Sequence, residues 1–225
     1  MKNKRRMVLP LALVLGLTLS SSAFAFSDTA GDPYEAQIRA LEERGVVSGI
    51  GNDLFDPKGT MTSAQAVQLI VKGLGLNIDS LRFIKEPKAS DSFDKVADNA
   101  WYAEAFVIAK LNGLPLDRSI DPNQPMTREQ FAHLLVSAVN LEGPFPMIMM
   151  YINITDQDKL DPAYAGSIQQ LLLTRLANLD KEGFFRPKDA VTRSEAAGMV
   201  HQAIGFLESH KKDHKPDNGS SSSTR

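Results

Sequence analysis

Three related seven-residue strings align without a gap in this chain of 225 residues. Asp56-Pro57-Lys58-Gly59-Thr60-Met61-Thr62 aligns with Asp121-Pro122-Asn123-Gln124-Pro125-Met126-Thr127 and with Arg186-Pro187-Lys188-Asp189-Ala190-Val191-Thr192. The closing threonines stand 65 residues apart in both intervals, and an apolar residue (Phe55, Ile120, Phe185) precedes each string. A long period of this kind means that one supersecondary unit has been copied. A single copy cannot bury its apolar face, so the copies must pack on one another.

Each threonine starts the same helical pattern. Four residues on stand Ala66, Phe131 and Ala196; seven on, Leu69, Leu134 and Met199; eight on, Ile70, Leu135 and Val200. Those steps mark one face of an α-helix. Thr62 with Gln65, Thr127 with Gln130 and Thr192 with Glu195 have the spacing of a capping box, in which the hydroxyl accepts the third helical N–H and the longer side chain reaches back. Upstream lies a second helix in each copy, anchored by Tyr34, Tyr102 and Tyr164. Asp32-Pro33 and Asp161-Pro162 read as an N-cap followed by proline at the first helical position, with Asp98 or Asn99 capping the middle copy. Gly45 and Gly113 suit the left-handed residue that ends that helix, whereas the third copy has Arg175 there.

The ends of the chain differ from its body. Lys2, Lys4, Arg5 and Arg6, the apolar stretch Met7 to Leu19 and Ala23-Phe24-Ala25 form a signal peptide over residues 1–25, giving an exported mature chain that starts at Phe26. No later segment is long and apolar enough to span a bilayer. Residues 208–225 are polar and Ser-rich, and are expected to be a disordered tail in which His210 and His214 are solvated. The body divides into copies at 26–76, 93–141 and 154–207, with linkers at 77–92 and 142–153. The run Met147 to Met150 lacks helical period and reads as a buried linker strand.

Composition narrows the function. There are 25 Lys+Arg against 27 Asp+Glu, a net charge of −2, and no cysteine. Nucleic-acid binding through a broad basic surface is excluded, as are disulfides, thiolate metal sites and cysteine nucleophiles. No recognised catalytic motif is present, which points away from an enzyme and from any cofactor. Without the signal peptide the charge falls to −6, and without the tail to −7. An acidic body repels a polyanion at long range, so any anionic ligand must be held by local sites.

Phe93-Asp94 through Trp101, then a Gly turn, Ile120-Asp121-Pro122 and Met126-Thr127-Arg128-Glu129-Gln130-Phe131-Ala132 resemble an S-layer homology repeat. Phe26-Ser27-Asp28 and Ile154-Thr155-Asp156 open the flanking copies in the same way. The resemblance covers residues 26–207. It implies an all-α fold, a pseudo-threefold spindle of three helix-loop-helix repeats, located at the bacterial cell surface. It also implies non-covalent binding to a secondary wall polysaccharide or another peptidoglycan-linked polymer, commonly one bearing anionic pyruvyl groups. The alternative is a degenerate module that binds another surface protein without polysaccharide.

In the family the Thr-Arg-x-Glu segment lines grooves between repeats. The candidates carried over are Thr127, Arg128 and Gln130 in copy two and Thr192, Arg193 and Glu195 in copy three. Copy one has Thr62, Ser63 and Gln65 and lacks the arginine. An arginine at the first helical position lies against the macrodipole, at a cost of about 0.3–1 kcal/mol. Beside free helix N–H groups it makes a carboxylate site. The threonines are caps before they are ligands. Asp28, Asp94 and Asp156 are expected to tie down the start of each repeat. Trp101 either packs into the core or stacks on a sugar ring, and is kept as a ligand candidate. His133 and His201 read as ordinary helix residues.

Overall fold

The structure, a computed structural model, describes residues 26–143, 145 and 150–213. The signal peptide, His214 and Met147 to Met149 lie outside those residues. Six α-helices form: α1 (Glu35–Glu43), α2 (Ser63–Gly73), α3 (Ala103–Leu111), α4 (Arg128–Val139), α5 (Ala165–Leu173) and α6 (Arg193–Asp213), and the described residues contain no strand. The fold is all-α, with two α-helices from each copy.

The three capping boxes form as their spacing requires. Thr62 and Thr127 Oγ1 accept from the N–H of Gln65 and Gln130, whose side chains return to the threonine N–H. Thr192 and Glu195 repeat the exchange. The first helices start differently from the expectation. Asp32 accepts from the Tyr34 N–H and Asp161 from the Ala163 N–H, each making a turn ahead of helices that begin at Glu35 and Ala165. Asp98 caps nothing in α3; it holds the N–H and hydroxyl of Ser90 instead.

The packed pairs are not the helices of one copy. α1 lies on α6, α3 on α2 and α5 on α4, so the first helix of every copy is covered by the second helix of the preceding one, cyclically. A Cβ on Gly198 of α6 would collide with the Tyr34 ring, which accounts for glycine at this closure. The second helices α2, α4 and α6 pack on one another at the centre, where Phe131 and its counterparts Ala66 and Ala196 are wholly buried.

At one end of that centre the repeated strings form a ring. Met61 N–H donates to Val191 O (2.9 Å), Val191 to Met126 O (3.0 Å) and Met126 to Met61 O (2.9 Å). The next two N–H groups of each central helix donate to the string of the following copy: Ser63 and Ala64 to Gln124 and Pro122, Arg128 and Glu129 to Asp189 and Pro187, Arg193 and Ser194 to Gly59 and Pro57. The helix starts thus satisfy their orphan donors on neighbouring copies, and the threefold ring closes without a sheet.

Asp28 and Asp156 tie down their repeats: each carboxylate accepts two successive N–H groups, from Phe55 and Asp56 and from Phe185 and Arg186. The second residue of each pair is left-handed, with φ of 58° at Asp56 and 57° at Arg186. Asp94 does not belong to this set. Its N–H donates to Arg118 O as Ser27 does to Asp53 O, so Asp94 is the counterpart of Ser27, and the clasping position holds Lys95. Lys95 pairs with Asp121 at 3.5 Å instead.

The glycine position in copy three keeps the same geometry without glycine. Arg175 has φ 58°, beside 65° at Gly45 and 80° at Gly113. A left-handed L-residue costs roughly 1–2 kcal/mol, part of which glycine returns through its freer unfolded chain. Arg175→Gly is therefore expected to stabilise by about 1 kcal/mol, read as a higher denaturation midpoint with an unchanged m-value.

The tail expectation needs correction at its start. α6 runs on to Asp213, Glu208 pairs with Arg44 at 3.0 Å, and Lys211 pairs with Glu142 at 3.0 Å. His210 is not solvated: its ring lies 4.1 Å from Phe206 and 5.1 Å from Phe145. Apolar partners from the linker extend a segment whose polarity alone suggested disorder. Met150 is exposed, and no strand forms there among the described residues.

Candidate functional site

The threefold arrangement creates three corresponding grooves. Each is walled by the loop after the first helix of one copy, the N3 and N7 side chains of that copy's second helix, and the N1 side chain of the preceding copy's second helix. An aromatic residue from the start of the following copy's first helix completes it. Groove 1 contains Val46 to Ile50, Phe55, Gln65, Leu69, Arg193 and Trp101. Groove 2 has Leu116, Asp117, Ile120, Asp121, Gln130, Leu134, Ser63 and Tyr164. Groove 3 has Ala177 to Asp180, Phe185, Arg186, Glu195, Met199, Arg128 and Tyr34.

The two arginines therefore serve copies other than their own. Arg193 donates from Nε to Phe55 O (2.7 Å) and from Nη2 to Ser48 O (3.0 Å), and its guanidinium lies 4.5 Å from the Phe55 ring centre. Burial lowers its pKa, while Asp56 and Asp28 pull it back up; an arginine in this setting stays protonated. No carboxylate lies within salt-bridge distance of Arg193 among the described residues. Arg128 donates from Nη1 to Phe185 O (2.9 Å) and Arg186 O (3.2 Å), and from Nη2 to Glu195 at 2.5 Å. Its side chain is 14% exposed.

Position N3 decides how much charge each arginine presents. It holds Gln65 in groove 1 and Glu195 in groove 3. Among the described residues groove 1 has one charged lining residue, Arg193. Groove 3 balances Arg128 and Arg186 against Glu195 and Asp180, and Arg186 pairs with Asp180 at 2.6 Å. Groove 2 carries Asp117 and Asp121 and, among the described residues, no lysine or arginine. The helix N–H groups expected to meet a ligand carboxylate are already engaged, so the guanidinium is what groove 1 offers.

Trp101 is 65% exposed and lies on the wall of groove 1, not in the core. Ile50, 60% exposed, lines the same groove. Thr127 and Thr192 are caps and Gln130 returns its side chain to Thr127, as the capping boxes require; Gln130 also lines groove 2. Ser48 and Phe55 line groove 1 without having been legible as groove residues in the sequence, and Gln65, the copy-one counterpart of Gln130 and Glu195, lines it with an arginine supplied by copy three.

His133 lines groove 2, bonds Ser167 at 2.8 Å and stacks 4.8 Å from Tyr164. Burial lowers its pKa; burial and then Arg44 lower that of His201. A histidine whose folded pKa is depressed stabilises fully above its unfolded pKa of about 6.5 and loses that contribution as the pH falls. Burial raises the Asp28 pKa, but the Phe55 and Asp56 N–H groups outweigh it and leave the pKa lowered. Its contribution has the same sign below about pH 4. Burial raises Glu42, which opposes this in the carboxylate range. The decisive window is therefore pH 7.5 to 5.5, where the melting temperature is expected to fall; a rise would contradict the assignment.

Among the described residues no cluster of three or more His, Cys, Asp or Glu is placed to hold a metal, and no helix is long and apolar enough to cross a membrane. The family model described as "S-layer homology domain" matches residues 25–67 and 153–197, the first and third copies. An endoglucanase of Bacillus sp. (strain KSM-635) is 26% identical over 192 residues, 84% of this chain and 20% of that protein. The surface layer protein of Brevibacillus choshinensis is 29% identical over 141 residues, 59% of this chain and 12% of that protein. The middle cell wall protein of Brevibacillus brevis (strain 47 / JCM 6285 / NBRC 100599) is 27% identical over 206 residues, 86% of this chain and 17% of that protein. The chain spans about a fifth or less of the length of these relatives.

Proposed function

Because the chain is an S-layer homology domain protein, at home with surface-layer and cell-wall relatives, we propose that it attaches to the bacterial cell wall by binding an anionic secondary polysaccharide in groove 1. One observation carries this reading: among the described residues the sole charged residue lining groove 1 is Arg193, which has no carboxylate within salt-bridge distance and lies in the same groove as the exposed Trp101. A guanidinium recognises a carboxylate, such as that of a pyruvyl substituent, and the indole face covers the apolar side of a sugar ring. Gln65 supplies a neutral amide at the position where Glu195 quenches Arg128. The binding is non-catalytic. Arg128 with Glu195 acts in this reading as a staple between copies two and three.

The test is retention on purified wall sacculi, with and without extraction of the secondary polymer. The wild-type protein is expected in the pellet only with unextracted walls. Trp101→Ala is expected to weaken retention about tenfold, near 1.4 kcal/mol, while leaving the melting temperature within about 1 °C. Wild-type protein remaining in the supernatant of unextracted walls overturns the proposal.

A further inference from the structure

Groove 2 differs from its two counterparts in a way that suits a different ligand. In grooves 1 and 3 an arginine at N1 of the preceding copy's helix donates to the carbonyl of the aromatic residue before the repeated string: Arg193 to Phe55 O, Arg128 to Phe185 O. The corresponding carbonyl in groove 2 belongs to Ile120, and the corresponding N1 residue is Ser63. Ser63 is too short to reach it, and its hydroxyl turns to Gln124 O at 3.2 Å. Among the described residues nothing donates to Ile120 O.

The charges complete the picture. Asp117 and Asp121 line the groove and, among the described residues, no lysine or arginine does. Bonds from the Ser119 hydroxyl and N–H hold the Asp117 pKa below its ordinary value, so it is anionic at neutral pH. Lys95, which does not line the groove, pairs with Asp121 at 3.5 Å, so Asp117 is the carboxylate without a cation within salt-bridge distance among the described residues. Groove 2 has a cavity volume of about 300 Å³, against about 230 Å³ in each of the others.

We propose that groove 2 takes an arginine side chain from a second polypeptide. The incoming guanidinium donates to Ile120 O, as its counterparts do within this chain, and is neutralised chiefly by Asp117, with Asp121, already paired with Lys95, beside it. Two grooves of one molecule show that this backbone cradle receives a planar donor fork, which favours guanidinium over a compact ammonium. The site is distinct from groove 1, so polymer binding and arginine capture are separable.

The probe is N-acetyl-arginine amide, titrated into isotope-labelled full chain and followed by amide shifts. Saturable changes are expected at Asp117 to Asp121 and Gln130, not at Ser48 or Trp101. Ser63→Arg fills groove 2 from within the chain. It is expected to abolish those changes, raise the melting temperature and leave sacculus retention intact. N-acetyl-lysine amide and glucosamine, which bring charge without the fork, are expected to bind at least about tenfold more weakly. Either of them binding as well as the arginine probe overturns the assignment, as does an absence of saturable shifts at about 50 mM probe or shifts that survive Ser63→Arg. If Ser63→Arg fails to fold, Asp117→Asn is expected to weaken binding several-fold, and unchanged affinity there also sinks the proposal.

Discussion

Arg193→Ala is expected to release the protein from wall sacculi and to loosen the junction between copies three and one. Losing a charged hydrogen bond to a ligand carboxylate costs about 1.5–3 kcal/mol, a roughly ten- to a hundredfold drop in affinity. The same change leaves Phe55 O without its donor at 2.7 Å and removes the cation from the Phe55 ring. Together these cost about 2–4 kcal/mol of stability. Two further variants separate the effects. Arg128→Ala breaks a pair that is just as interior, with Glu195 at 2.5 Å, but lies in the charge-balanced groove. It is expected to destabilise by a similar amount while retention persists below the new melting temperature. Arg193→Lys keeps the charge and loses the fork, and is expected to recover part of the retention. Equal loss of retention in Arg128→Ala and Arg193→Ala would point to unfolding as the common cause and remove the case for groove 1.

Phe131→Ala should be among the most destabilising single substitutions. Phe131 sits on the buried face of α4 among the three central helices, and its counterparts in α2 and α6 are Ala66 and Ala196. One large and two small side chains occupy equivalent positions of a packed trio, so the phenylalanine fills space that neither alanine supplies. Removing it costs about 3–5 kcal/mol in lost transfer energy and residual cavity. In a small domain that is a large part of the whole stability, and unfolding near physiological temperature is the expected result. Urea denaturation checks it; a loss below about 1.5 kcal/mol would show that the centre can collapse around alanine. Ala66→Phe in the Phe131→Ala background should restore part of the loss, because the filled volume matters more than the copy that fills it.

Local chemistry was legible in the residues. The capping boxes, the buried helix faces and the glycine turns depend on neighbours three to eight positions apart, and these appear in the structure at Thr62, Thr127, Thr192, Gly45 and Gly113. Even the departure at Arg175 adopts the left-handed turn, because the surrounding packing overrides its local cost. Where a reading relied on exact alignment over a short segment it failed: Asp94 looked like the partner of Asp28 and is the counterpart of Ser27. The free N–H groups expected beside the arginines at the helix starts are absent for a different reason. Those N–H groups are taken by carbonyls of the following copy, some 60 residues or more away along the chain.

By itself the sequence determined that the body is three copies of a helix-loop-helix unit, that each second helix starts at a threonine, and which faces those helices bury. These follow from periodicity and from hydrogen bonds that close within one turn. The tertiary structure alone decided that each first helix packs on the preceding copy, that α6 extends to Asp213, and that three similar grooves carry different charge. Arg193 meets its acceptor across 138 residues, and Arg128 meets Glu195 across 67. Whether an arginine offers its charge or spends it on a neighbour depends on which residue faces it from another copy, and that pairing exists only once the ring has closed.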